Sequence, residues 1–230
     1  MKKGDFLWGI ALLVWIVILI LPTSRVTFMN FTSNYPYIGG FIKFSILATM
    51  GDMLGVRVSK GEWIKPKGFI YKAFIWGIIG MMVTLVFTVF MEGTAAAQAS
   101  GRLPFKGSSL AQAFLGSTIM NLTFGPMMMA FHRFTEMYID IKHDRKGESI
   151  TLKELIEKND WNSLVEFSWL KTCPFFWIPA HTIVFLLPSE YRVIVSAFLS
   201  IALGLLLAIS KKEKKASIEK VNLYEKENCI

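Results

Sequence analysis

Six stretches of the chain are rich in apolar residues, nearly free of charge and long enough to cross a membrane as helices. They contain only four charged residues, although the chain has 25 basic and 17 acidic ones. Crossing about 30 Å of hydrocarbon takes roughly 20 helical residues, and these runs lack the alternation of membrane β-strands. The pattern predicts an all-α, polytopic membrane protein, a bundle of about six transmembrane helices. The stretches are residues 6–22, 38–56, 69–91, 109–131, 172–188 and 191–210.

The positions of the basic residues predict how these helices are oriented. Lys and Arg in short loops stay on the cytoplasmic side of a membrane. If both termini are cytoplasmic, most of the 25 basic residues lie inside, and an odd number of helices would spoil this asymmetry. We therefore expect six spans with both termini cytoplasmic. The basic residues left on the outer side are Arg25, Arg102, Lys106 and Arg192.

The same patterns divide the chain into three parts. Residues 1–36 form an N-terminal anchor helix and an outer loop, and residues 37–210 form a five-helix membrane core. Residues 211–230 form a basic, highly charged tail. The core includes a cytoplasmic amphipathic insert at residues 132–171, whose apolar side chains alternate with polar neighbours. We expect this insert to lie along the inner membrane face.

Within the insert, one short helix has a recognisable start. Thr151 followed three residues later by Glu154 is a capping-box pattern. It predicts that a helix begins at Leu152 and continues to about Lys158.

Charge and cysteine usage exclude several other classes of protein. The net charge is +8 and the mean hydropathy +0.45, but the basic residues flank apolar spans, as insertion bias and anionic head groups require. Nucleic acid is therefore not an expected partner. Cys173 and Cys229 show no metal-ligand spacing, so neither a metal nor a cofactor is predicted. The expected partners are membrane lipids, a small solute or ion, and a second copy of the chain if it forms homo-oligomers.

The beginning of the chain bears on which membrane is involved. A short basic start, Lys2-Lys3, leads directly into the first apolar stretch, with no pattern typical of a transit peptide. We therefore favour a bacterial plasma membrane, with an organelle membrane as the alternative.

The second apolar stretch carries a polar stripe. Ser45, Thr49 and Asp52 are spaced so that they lie on one face of a helix. An ionised carboxylate within a span costs at least ~2.5 kcal/mol. Asp52 therefore either lines a pathway as a proton-sensitive acid or accepts hydrogen bonds from neighbouring helices. Asn121, at a similar depth in the fourth stretch, is its expected partner.

Two further polar residues are candidates for the same pathway. His181 either takes part in gating or proton movement, or is a packed polar group. Arg192, at the predicted outer mouth, has several interpretations. It binds an anionic solute or a head-group phosphate, pairs with Glu190, or extends its charge to the interface.

Small residues and prolines predict how the helices pack. Gly51 and Gly55 form a small-xxx-small pair, which lets a neighbouring backbone approach closely. A proline inside a helix removes one hydrogen bond, so Pro126 should bend the fourth helix and leave the carbonyl of Leu122 free. The residues assigned to packing are Gly51, Gly55, Gly77, Gly80, Pro126 and Pro188.

Several motifs together resemble the Mpv–PMP family, which contains the mitochondrial inner-membrane Mpv protein, the yeast Sym protein and the twenty-two-kilodalton peroxisomal membrane protein. The order of the motifs resembles the family over about residues 38–210. The matching positions are Gly51-Asp52, Gly77 and Gly80, Met120-Asn121 before Gly125-Pro126, Trp161 and Leu164, Trp177 or Phe176, and Pro188 with Tyr191-Arg192.

The match has departures as well. Met81 stands where the family has a proline, and Ala180 and Ile183 stand where it has Gln and Asn. The resemblance implies a non-catalytic channel or solute-pathway protein, without specifying a ligand. It adds a function class to the helical bundle that the residues themselves predict.

No pattern in the chain predicts catalysis. Paired carboxylates, a phosphate-binding glycine loop and a nucleophile beside a base do not occur at useful spacing. The expected function is therefore an integral membrane channel-like or solute-pathway protein in which the stripe around Asp52 lines or braces the path. A structural or adaptor membrane protein is the alternative, and a lipid-modifying enzyme is a remote third.

Overall fold

The computed structural model describes residues 2–145, 148–206 and 209, and these residues form helices without any β-strand. The predicted all-α class is therefore confirmed. The predicted tail at 211–230 lies outside the described residues. The helices are α1 (Lys3–Ile20), α2 (Pro22–Asn34), α3 (Pro36–Lys60), α4 (Phe69–Ala99), α5 (Ser109–Asp144), α6 (Leu152–Lys158), a π-helical segment (Ser163–Trp177), α7 (Ile178–Phe185) and α8 (Ser189–Leu206).

Four of these helices, α1, α4, α5 and α8, are long and apolar enough to cross a membrane. They coincide with four of the six predicted stretches and are compatible with a multi-pass membrane protein. The other two stretches, 38–56 and 172–188, are largely helical, but their helices do not meet the same criterion of length and apolar character. The first of them, within α3, carries Lys43 and Asp52.

The segment between α1 and α3 differs from the expectation. We expected an outer loop over residues 23–36, yet residues 22–34 form α2. Pro22 occupies the first turn, where its missing N–H costs nothing. The hydroxyl of Thr27 donates to the carbonyl of Thr23 at 3.1 Å, so this polar residue is accommodated within the helix. The loop prediction was wrong because Thr, Ser and Asn residues, which favour turns, are accommodated here in a helix that starts at Pro22.

Residues 132–144 of the predicted insert continue α5, whereas the short helix within the insert begins as predicted. Helix α6 spans Leu152–Lys158, and the hydroxyl of Thr151 accepts a hydrogen bond from the backbone N–H of Glu154 at 3.2 Å. After α6, residues 163–177 form a π-helix, which the apolar pattern did not predict. Long π-helical runs are rare in proteins, and π-turns often lie at functional sites.

The core lies where α3, α4, α5, α7 and α8 meet. Its fully buried apolar side chains include Leu47, Ile79, Ala113, Val184 and Ile194. Helix α1 has no buried residue and packs against this core with one side. We therefore interpret α1 as the peripheral helix of the bundle.

Two polar contacts hold α1 against α3. The indole N–H of Trp8 donates to the carbonyl of Met50 at 3.0 Å. At the end of α3, Arg57 donates to both carboxylate oxygens of Asp5, at 2.7 and 3.0 Å. The indole of Trp63 donates to the same carboxylate at 2.7 Å. The start of α1 and the end of α3 therefore lie at the same end of the bundle.

Glycines bring the backbones of α3 and α4 into direct contact. A Cβ atom on Gly40 would lie 2.6 Å from the carbonyl oxygen of Gly80, and one on Gly80 would overlap the carbonyl oxygen of Gly40. Only glycine fits at such a crossing. A second close approach joins α3 to α8, because a Cβ on Gly204 would lie 3.1 Å from the carbonyl oxygen of Gly51.

We expect Gly80→Ala to destabilise the bundle, because its methyl group would overlap backbone atoms that cannot move independently. Overpacking of this kind costs about 1–3 kcal/mol. The matched control on the same helix is Gly93→Ala, where no atom lies within 4 Å of the new Cβ. Thermal midpoints of the purified protein in detergent should fall for the first variant and not for the second. Equal midpoints would contradict the crossing.

A second prediction concerns pH. Glu154 accepts from Lys158 at 2.9 Å and from Arg145 at 2.8 Å, and these contacts hold the pKa of Glu154 below its usual value of 4.5. Because the folded-state pKa is the lower one, the stabilisation is complete above pH ~4.5 and lost as the pH falls through the lowered pKa.

Hydrogen exchange at residues 152–158, corrected for intrinsic rates, should therefore show loss of protection below pH ~4.5. The variant Glu154→Gln should show the same weak protection at every pH. A wild-type profile without pH dependence would contradict the role of these ion pairs.

Candidate functional site

Three cavities lie in series within the bundle and contain most of its buried polar side chains. We call them the inner, middle and outer cavities. The inner cavity lies towards the end of the bundle where α3 ends and α4 begins, which the sequence predicts to be cytoplasmic. The outer cavity lies towards the opposite end, where α3 and α8 begin.

The inner cavity has a volume of about 250 Å³, and Asp52 is one of its lining residues. The indole N–H of Trp76 on α4 donates to the carboxylate of Asp52 at 2.7 Å. The ring of Trp76 lies against His132 of α5, with 4.2 Å between the ring centroids. A carboxylate, an indole and an imidazole are thus in contact across three helices.

Charged and hydroxyl groups also line the inner cavity. Arg133 and Glu136 come from α5, and Ser163, Ser168 and Thr172 come from the π-helical segment. Apolar side chains make up most of the remaining lining, so these polar groups are set in a mostly apolar cavity.

An ion-pair cluster closes the same end between α4 and α5. Lys72 lies 3.2 Å from Glu136 and 2.8 Å from Asp140, and Lys67 pairs with Asp144. These pairs fix the first turns of α4 beside the last turns of α5. Glu136 thereby joins the cluster to the cavity wall.

The middle cavity is small, about 60 Å³, and mostly apolar. It contains a hydrogen-bonded group around His181 on α7. Nδ1 of His181 lies 3.1 and 3.2 Å from the amide nitrogen and oxygen of Asn121, and Nε2 lies 3.2 Å from the hydroxyl of Ser196. The hydroxyl of Ser117 donates to the carbonyl of Ile178 at 2.8 Å. The buried polar groups of α5, α7 and α8 therefore satisfy one another.

Aromatic rings surround this imidazole and narrow the middle cavity. Trp177 stacks on His181 with 4.9 Å between ring centroids, and Phe87 meets it edge-on at 5.3 Å. Phe185 lies 4.9 Å from Phe87. The rings fill the centre of the bundle, so the middle cavity is a constriction.

The outer cavity has a volume of about 310 Å³, and polar residues outnumber apolar ones in its lining. Its walls come from α2, α3, α4 and α8. Its lining residues are Thr32, Ser33, Pro36, Lys43, Thr84, Phe87, Thr88, Ser189, Glu190, Arg192 and Val193.

Consecutive cavities share side chains. Trp76 and Trp177 line both the inner and the middle cavity, and Phe87 lines both the middle and the outer one. Consecutive cavities are therefore adjacent to each other, with aromatic residues among those they share.

The candidates predicted from the sequence are distributed over these cavities. Asp52 lines the inner cavity, Asn121 and His181 the middle one, and Arg192 the outer one. Ser45 lines none of the three, because its hydroxyl faces Gly77 of α4.

The remaining stripe residue, Thr49, also lies outside the cavity linings. Its hydroxyl is buried and makes no hydrogen bond to the described part of the chain. The polar stripe thus separates into packing positions and a single cavity residue, Asp52.

The expected partnership between Asp52 and Asn121 is absent from the structure. Asp52 accepts from Trp76, whereas Asn121 contacts His181 and donates to the carbonyl of Ser117 at 2.9 Å. A similar depth in two helices did not suffice to predict this contact, because the two side chains belong to different cavities.

The candidate in the outer cavity, Arg192, donates from its Nε to the carbonyl of Leu187, at 2.9 Å.

The predicted packing glycines occupy helix crossings, whereas the two prolines do not. Gly77 and Gly80 face α3, while Gly51 and Gly55 face α8. Pro126 lies within the continuous helix α5, and Pro188 precedes the first turn of α8.

Sequence reasoning missed Trp76, His132 and Lys43 as cavity residues. Lys43 had a visible signal, because it is one of only four charged residues in the apolar stretches. Trp76 and His132 had no signal in the sequence that marks a cavity residue, because an aromatic residue near a helix end is ordinarily an interface residue.

We expect Asn121→Ala to destabilise the protein by about 0.6–2 kcal/mol, because it leaves the buried imidazole of His181 without one partner. The control is Thr123→Ala, an exposed position on the same helix whose hydroxyl bonds only the carbonyl of Ile119. Thermal unfolding in detergent distinguishes the two. A similar loss in both variants would contradict a specific contribution of the His181 contacts.

The chain matches no family model, no curated protein and no solved structure. Among the residues that carry the resemblance, Asp52, Trp177 and Arg192 line the cavities. Membership of the Mpv–PMP family stays a prediction.

Proposed function

We propose that this chain forms a solute pathway through a membrane, with Asp52 as the charged group of its inner cavity. The single observation that carries the proposal is the series of three cavities whose consecutive members share lining residues. A bundle held together only by packing has no need of cavities lined by charged side chains towards both of its ends.

The proposed topology has six spans, with both termini cytoplasmic. Helix α3 has 25 residues, enough for a span at 1.5 Å per residue. The π-helical segment and α7 together supply the fifth crossing. The pairs formed by Lys67 and Lys72 with α5 support one common basic end for α4 and α5. We favour a bacterial plasma membrane, with an organelle membrane as the alternative.

In this proposal the described conformation is closed. The middle cavity is about 60 Å³, and rings of Phe87, Trp177 and Phe185 surround His181. Passage of a solute therefore requires rotation of at least Trp177 and Phe87, the rings that are shared with the neighbouring cavities. Hydrophobic constrictions of this kind gate pores by excluding water.

A structural or adaptor role is the second candidate. It is favoured by the hydrogen bond from Trp76 to Asp52, which braces α3 against α4 whether or not water enters. In that role the carboxylate acts only as an acceptor. A lipid-modifying activity, the third class, would require turnover of a lipid substrate.

The test is solute flux and single-channel current from purified protein in lipid bilayers, with Asp52→Asn and Asp52→Leu beside the wild type. Asparagine keeps an oxygen for Trp76 but removes the charge, so a pathway role predicts altered conductance in Asp52→Asn with normal thermal stability. A matched control is Glu62→Gln, an exposed acid beyond the end of α3.

The two roles predict different results. If the acid is only a brace, Asp52→Asn should behave like the wild type, and Asp52→Leu should lose stability. Folded protein that gives neither current nor flux would overturn the pathway proposal and favour the structural role.

A further inference from the structure

We propose that the outer cavity is a binding site for a small oxyanion, a phosphate group, held by Lys43 and Arg192. This goes beyond the pathway proposal, because anion binding can be measured without flux. The site is formed by α2, α3, α4 and α8, and it lies on the far side of Phe87 from His181.

The first argument is the state of Lys43. Its side chain is 2% exposed, and its Nζ makes no hydrogen bond to the described residues. The contact that it does make is with the ring of Phe28, at 4.9 Å from the centroid. A cation–π contact compensates only part of the cost of removing an ammonium group from water. An anionic partner would compensate the rest of the cost of burying the Lys43 ammonium group.

A second orphaned group lies in the same wall. The hydroxyl of Thr32 is buried and lacks a hydrogen-bond partner within the described part of the chain. Thr32 and Lys43 both line the outer cavity. An ammonium and a hydroxyl can both donate to one oxyanion, so a single ligand could satisfy both groups.

Arg192 contributes the second positive charge. Its Nε donates to the carbonyl of Leu187 at 2.9 Å, which fixes the guanidinium at the cavity. Its two Nη atoms make no hydrogen bond to any described residue, and a guanidinium with free Nη donors suits a carboxylate or phosphate.

The ends of three helices also lie at the cavity, two N-termini and one C-terminus. Thr32 and Ser33 belong to the last turn of α2, where the partial charge is negative. Pro36 in the first turn of α3 and Ser189 in the first turn of α8 both line the cavity. Helix N-termini carry partial positive charge and attract anions. Hydroxyl donors are available from Ser33, Thr84 and Thr88.

One lining residue opposes the assignment. Glu190 is the acid among the described lining residues, and no ion pair joins it to Arg192. Glu92, outside the lining, also interacts electrostatically with Arg192. Among the lining residues, the positive charges of Lys43 and Arg192 outweigh the single negative charge of Glu190. The site therefore favours anions over cations.

A phosphate group could reach the site free in solution or as part of a lipid head group, and the experiment separates these sources. The first arm measures the thermal midpoint of the full chain in an uncharged maltoside detergent. Inorganic phosphate is titrated against chloride at constant ionic strength. The second arm compares nanodiscs of phosphatidylcholine with and without phosphatidylglycerol, in phosphate-free buffer.

We expect one of these anionic ligands to raise the midpoint of the wild type. Lys43→Met and Arg192→Gln should each weaken the effect at least about tenfold in apparent affinity. Arg102→Gln, which removes an exposed arginine between α4 and α5, is the control and should respond like the wild type. Lys43→Met should also raise the midpoint without anion, because it removes a buried unpaired charge.

Stabilisation by inorganic phosphate would identify a free oxyanion as the ligand, and stabilisation by phosphatidylglycerol alone would identify a head group. No stabilisation by either ligand, or an effect that persists in both Lys43→Met and Arg192→Gln, would overturn the site. If Lys43→Met fails to fold, Arg192→Gln still decides the question. Normal flux without anion binding would refute this site and leave the pathway intact, whereas binding without flux would do the reverse.

Discussion

The arrangement of the bundle depends on the backbone contact between α3 and α4 at Gly40 and Gly80. A lipid environment provides little hydrophobic force to press helices together, so close packing of small residues has to do so. This crossing determines which face of α3 meets α4, and thereby directs Asp52 towards Trp76. The contact of Gly51 with Gly204 then brings α8 onto the other side of α3.

With α3 held in this way, charged and apolar layers alternate along the bundle. An acidic group lies in the inner cavity, a neutral network around His181 lies in the middle, and two basic groups lie in the outer cavity. Lys43 and Asp52 are nine residues apart on one helix, yet each faces a different space. Nine residues of helix separate the two side chains by roughly 14 Å along the axis of α3, so no ion pair joins them.

The sequence was sufficient for the features that depend on local pattern. Apolar length located α1, α4, α5 and α8, and the Thr151–Glu154 spacing located the start of α6. The sequence could not predict which side chains of different helices contact each other, because these contacts depend on how each helix is rotated about its axis. Asn121 was assigned to Asp52 by depth alone, whereas rotation directs it towards His181. The π-helical segment was not predicted from the sequence either, because it does not follow the 3.6-residue period of an α-helix.

That segment gives the bundle a mechanical property that a straight α-helix would lack. In a π-turn the backbone closes on the fifth residue, and the hydroxyls of Ser168 and Thr172 reach carbonyls five residues earlier. If one such turn tightened to α-helical closure, everything after it would rotate by about 100°, the angle of one residue. Trp177 and His181 follow directly in the same continuous helix. A small change in helical winding near the inner cavity would therefore rotate the aromatic rings at the centre of the bundle about the axis of this helix.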